Sequence, residues 1–67
     1  MRFTDKTFRS DTQWVKVTRD NTERTFTFAR GYKGDFSANE VETLSFKWVA
    51  NWTEAKERAE RSMAAYA

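Results

Sequence analysis

Any chemistry in this chain must come from carboxylates, amines, hydroxyls and aromatic rings, because its 67 residues include no His and no Cys. The usual nucleophile–base pairs of covalent catalysis are therefore missing. Disulfides and ordinary zinc sites are excluded for the same reason. The acids are Asp5, Asp11, Asp20, Asp35 and six Glu, and none sits in an apolar run that would raise its pKa. Glu40 and Glu42 share a face only in a strand, and capping and solubility account for them better than a catalytic dyad. A chain of this length has little room for an enclosed pocket of enzyme size. No enzymatic activity, no cofactor and no metal are expected.

Gly31-Tyr32-Lys33-Gly34-Asp35-Phe36 is the one segment with clear loop chemistry. It is not a phosphate-binding loop, since it lacks the Gly-Lys-Ser/Thr ending. Its basic-Gly-aromatic order resembles one strand of RNA-recognition domains, but the aromatic order then fails and the preceding helix is absent. A glycine-flanked turn explains it. Around that turn lies a candidate protein-binding set: Trp14, Arg30, Tyr32, Lys33 and Phe36. Trp, Tyr and Arg are the types enriched at interface hot spots. The competing structural reading places Trp14 and Phe36 in a second, minor core with Phe3 or Phe8.

A different set would serve nucleic acid: Lys16, Lys47, Arg30 and Lys33. Residues 1–36 hold eight Lys/Arg and five Asp/Glu, giving +3, and residues 37–67 hold four and five, giving −1; the sum is the net +2. Dedicated DNA-binding domains of this size are often far more basic. The asymmetry permits an acidic partner without demanding one.

The elements that must position these residues are legible from a change of period. From Gln13 to Thr18, Val15 and Val17 alternate with Trp14, Lys16 and Thr18, which predicts a strand. Arg19-Asp20-Asn21-Thr22 has turn chemistry. Glu23 to Arg30 alternates again, with Phe26, Phe28 and Arg30 on one face, so the two runs predict an antiparallel hairpin. Ser37-Ala38-Asn39-Glu40 has the form of a capping box and predicts a short helical turn. Leu44, Phe46 and Trp48 alternate with Ser45 and Lys47, which predicts a third strand. Residues 1–11 hold Phe3 and Phe8 among charges and either add a fourth strand or lie on the sheet as an arm.

From Asn51 the period becomes 3.6. Asn51 and Glu54 predict an N-terminal cap. Trp52, Ala55, Ala59, Ser62, Met63 and Tyr66 form one stripe, with Glu54–Arg58 and Glu57–Arg61 as outer ion pairs. The predicted fold class is α+β in a single domain, residues 1–67. A small antiparallel sheet of three strands, or four if the N-terminal segment pairs, carries one C-terminal α-helix on one face. Phe26, Phe28, Phe46 and Trp48 are expected beneath that helix.

This leaves the opposite sheet face open, with Trp14, Lys16, Thr18, Thr25, Thr27, Thr43, Ser45 and Lys47. The layout is similar to that of integrase arm-binding domains, which lay such a face in the DNA major groove and carry several Arg where this chain has two Lys. No run approaches the roughly 20 apolar residues of a membrane span. Met1-Arg2-Phe3-Thr4-Asp5-Lys6 lacks a signal-peptide core, so a cytoplasmic location is expected. Small, cysteine-free, aromatic-rich domains are frequent among accessory and inhibitor proteins of bacteriophages and mobile elements. The expected function is therefore binding and occlusion of a partner protein. The alternatives are a small DNA- or RNA-binding module using the exposed sheet face, and a homodimer paired through a sheet edge.

Overall fold

Side chains that alternate along strands need a second layer to bury one face, and here a single helix supplies it. The computed structural model describes residues 3–65. Their order is β1 (Phe3–Arg9), β2 (Gln13–Asp20), β3 (Thr25–Tyr32), β4 (Glu40–Ser45) and α1 (Trp52–Ala65). The strands form one antiparallel meander, β1-β2-β3-β4, and α1 packs over β1 and β2. The N-terminal segment is thus a true strand, paired from Phe3 opposite Asp20 to Arg9 opposite Trp14.

Register decides the two faces. Val17 lies opposite Phe28, and Phe28 lies opposite Glu42, so these share the helix-covered face. Thr18, Thr27 and Thr43 make one row across the open face. The core consists of Val15, Val17, Phe26, Phe28, Val49, Ala55, Ala59 and Met63, with Phe8, Leu44, Phe46 and Trp52 packed at its margin. Phe26 meets Trp52 edge-on at 5.2 Å and Phe46 at 5.4 Å between ring centres. Ala55 and Ala59 are fully buried, which lets the helix axis approach a sheet crowded with rings. Tyr66, the last residue of the expected stripe, lies outside the described residues.

Local chemistry sets the ends of the elements. Asp20 Oδ1 accepts the N–H groups of Thr22 and Glu23 at 2.9 and 3.1 Å, closing the β2–β3 turn. Arg24 completes that turn with φ 59°, so β3 begins at Thr25, two residues after the expected start. Asn51 Oδ1 accepts the Glu54 N–H at 3.0 Å, and Glu54 Oε1 accepts the Ala50 N–H at 3.2 Å, giving the helix its cap.

Three expectations are corrected. Residues 37–40 form no helical turn; Ser37 and Asn39 are bends that lead into β4, which starts at Glu40 and ends at Ser45. Trp48 is not core: it is 78% exposed. The chain must reverse between β4 and α1, and the Ser45 carbonyl accepts the N–H groups of Trp48 and Val49 at 3.0 and 3.2 Å. That turn swings Trp48 outward and delivers Val49 to the core in its place. The Glu54–Arg58 ion pair is also absent, because Glu54 caps the helix while Arg58 reaches Glu42 at 3.1 Å.

Candidate functional site

The loop between β3 and β4 is held by Trp14. Trp14 and Gly31 are cross-strand partners on the open face, and the indole lies directly on the glycine. A Cβ at residue 31 would stand 2.4 Å from a ring carbon, so only Gly permits this approach. The indole Nε1–H points into the loop within 3.1 Å of both the Tyr32 and Asp35 carbonyl oxygens. Backbone bonds tighten the same segment. Lys33 N–H donates to the Thr12 carbonyl at 2.9 Å, Asp35 N–H to Tyr32 at 3.0 Å, and Asn39 N–H to Arg30 at 2.7 Å. Gly34 takes the left-handed turn, with φ 94°.

Phe36 follows this pinned turn and its side chain is fully exposed. Arg9, Trp14, Lys16, Lys33, Asp35 and Phe36 surround a shallow groove of about 490 Å³ beside it. Three cations and one acid rim the groove, and Lys16 also stands 3.8 Å from Asp5. The minor-core reading of Trp14 and Phe36 does not hold, because Phe36 is fully exposed. Phe8 packs on the main core under the helix, on the other side of the sheet from Trp14.

The predicted sets are only partly brought together. Trp14, Lys33 and Phe36 gather at the groove with Lys16. Tyr32 lies opposite Gln13, which turns it toward the helix side, where it is 42% exposed. Arg30 is on that covered face too, only 7% exposed, so it does not join Trp14. Lys47 falls in the turn after β4 instead of on the open face. No family model, curated protein or solved structure matches the chain.

Arg30 belongs to a buried polar chain that sequence reasoning did not assemble. Its guanidinium meets Glu40 at 2.8 Å and the Gln13 Oε1 at 3.5 Å, and Gln13 Nε2 donates to the Met63 carbonyl at 2.9 Å. The chain ties β4 through β3 and β2 to the helix end. Burial pushes the Arg30 pKa down, but hydrogen bonds and charge from Glu40 and Tyr32 outweigh it and hold the group above its ordinary value. The signal was present in the alternation, which puts Gln13 with Val15 and Arg30 with Phe28.

The two glutamates of β4 should differ accordingly. Glu40→Gln weakens the charged partner of a buried guanidinium and is expected to cost about 1–3 kcal/mol. Glu42→Gln loosens a half-exposed pair with Arg58 and is expected to cost less than about 1 kcal/mol. Urea denaturation of the two variants checks this; equal losses would mean that Arg30 does not depend on Glu40.

Among the described residues no cluster of acidic side chains is placed to hold a metal ion, and no helix is long and apolar enough to cross a membrane. The loop thus combines a hydrogen-bonded turn, a fully exposed Phe36 ring and a rim of mixed charge.

Proposed function

We propose that this chain is a non-catalytic binding protein of the accessory or inhibitor type, which occludes a site on a partner protein through the Trp14-pinned loop. The full exposure of Phe36 beside a turn fixed by two indole hydrogen bonds carries the proposal. A turn already held by hydrogen bonds adds little backbone ordering cost on binding, so the main entropic loss is that of the Phe36 ring itself, which favours affinity. Lys33 and Lys16 supply polar contacts at its margin. Trp14 acts as a positioning residue, and Arg30 and Tyr32 support the loop from the covered face.

Phe36→Ala is expected to leave stability within about 0.5 kcal/mol of the parent, since the ring touches no core residue. It should weaken partner binding by roughly thirtyfold or more, the loss of a hot-spot aromatic. Affinity capture from a candidate host lysate with parent and variant identifies the partner, and titration calorimetry with that purified protein measures the ratio. Unchanged affinity of Phe36→Ala would sink the loop as the anchor.

The nucleic-acid reading draws on the same groove through Arg9, Lys16 and Lys33, with Asp5 and Asp35 opposing them. A gel shift against random duplex at two salt concentrations is expected to show no retention. Retention that Lys16→Ala and Lys33→Ala each weaken, with a salt slope reduced by about 1, would replace the protein partner with nucleic acid.

A further inference from the structure

The outer edge of β4 has no partner among the described residues. Strand edges that stay unpaired are usually guarded by charge, proline or a bulge. The opposite edge strand, β1, follows this rule with Asp5, Lys6 and Arg9 along its length. β4 does not. Its two charges, Glu40 and Glu42, both face the helix side and are matched internally by Arg30 and Arg58 at 2.8 and 3.1 Å. Its open-face residues, Val41 and Thr43, are uncharged, and Val41 is 65% exposed.

The free hydrogen-bonding groups on this edge can be assigned. The Phe46 N–H donates to the Arg24 carbonyl at 3.0 Å, so the even-numbered residues of β4 turn their backbone groups inward to β3. Val41, Thr43 and Ser45 therefore turn theirs outward. The Ser45 carbonyl is already engaged by the turn, which leaves both groups of Val41 and Thr43 and the Ser45 N–H.

We infer that a second copy of this chain occupies the β4 edge, antiparallel, about a two-fold axis through Thr43. Such an axis pairs residues whose numbers add to a constant even sum, because opposed side chains must share a face. Centring on Glu42 sets Glu42 against its own copy, and centring on Val41 sets Glu40 against Glu42 twice. Centring on Leu44 pairs only residues 43–45 of the strand. Centring on Thr43 pairs residues 41–45, with Val41 opposite the second copy's Ser45 and Glu42 opposite its Leu44. No glutamates meet. Thr43 and its copy exchange both backbone bonds, and each Ser45 N–H reaches a Val41 carbonyl.

The side chains agree with this register. Thr18, Thr27 and Thr43 already form a row, with Thr27 and Thr43 hydroxyls 3.2 Å apart, and the axis continues that row into the second copy. The result is a continuous eight-stranded sheet with a helix under each half and two copies of the Trp14 loop on one broad face. The interface is a short edge pairing, so dissociation in the roughly micromolar range or weaker is expected.

The absence of Cys gives a direct test. Residues opposite each other in a hydrogen-bonded antiparallel pair have Cα atoms about 5.5 Å apart, within the range a disulfide spans. Thr43→Cys, exposed and outside the core, is expected to form a covalent dimer under mild oxidation at micromolar concentration. Thr7→Cys, on the β1 edge, is the control and should stay monomeric. Thr43→Lys sets two cations together at the axis and should raise the dissociation constant roughly tenfold or more in sedimentation equilibrium, with the circular dichroism of the monomer unchanged. Three results would overturn the inference: Thr43→Cys that stays monomeric, Thr7→Cys that cross-links as fast, or parent and Thr43→Lys that associate alike.

Discussion

Phe26→Ala is expected to remove about a third or more of the domain's stability, and all of it at the lower end of the range for this length. Truncating a buried Phe costs about 3–5 kcal/mol through lost burial and the cavity left behind. A domain of this length has a total stability of roughly 3–10 kcal/mol at the usual per-residue value. Phe26 has no exposed surface, and its ring joins Phe28, Phe46 and Trp52 while the Arg19 guanidinium lies 5.7 Å from its centre. No neighbour can move into the space without leaving one of those contacts. Trp48→Ala is the internal contrast. It removes a larger side chain, but one 78% exposed in a turn, and should change stability by less than about 0.5 kcal/mol. Urea denaturation followed by circular dichroism separates the two. A Phe26→Ala variant as stable as Trp48→Ala would mean that the Phe26 ring is not packed between Phe46 and Trp52.

The contrast between these two aromatics shows what was readable in the sequence. The β2–β3 hairpin, the Asn51 cap and the Ala55–Ala59–Met63 stripe all follow from local chemistry and period, and the structure holds them as expected. The third predicted strand was displaced because alternation of Leu44, Phe46 and Trp48 looks the same whether or not the chain turns at Phe46. The turn is imposed by the need to bring α1 back over β1 and β2, which no local residue encodes. Glu40-Val41-Glu42-Thr43 did not read as a strand for the converse reason. Its charges are tolerable only because Arg30 and Arg58 arrive from β3 and the helix to meet them. The candidate site was half legible. Parity puts Trp14 on the open face, where the register holds it, but the same parity puts Arg30 with Phe28 under the helix. Residue type alone drew Arg30 into the binding set. The exposure of Phe36 depends on a loop path that only the folded chain defines.

Gly31→Ala is the substitution expected to uncouple the loop from the sheet. The added methyl would stand 2.4 and 2.6 Å from two carbons of the Trp14 ring, distances no packed pair sustains. The ring is rigid and rests on backbone, so it must move as a unit. Moving it breaks the indole hydrogen bonds to Tyr32 and Asp35. Overpacking of this kind costs about 1–3 kcal/mol, so the domain should fold but melt earlier. The indole N–H resonance of Trp14 should shift and exchange faster, as should the amide of Asp35. Partner binding should fall with it, because Phe36 would no longer follow a fixed turn. Gly34→Ala provides the comparison, since it strains a left-handed turn without touching any neighbour. It should cost about 1 kcal/mol and leave the Trp14 indole resonance in place. If Gly31→Ala kept both that resonance and full partner affinity, Trp14 would not be what holds the loop, and Phe36 would owe its placement to the backbone bonds of Lys33, Asp35 and Asn39 alone.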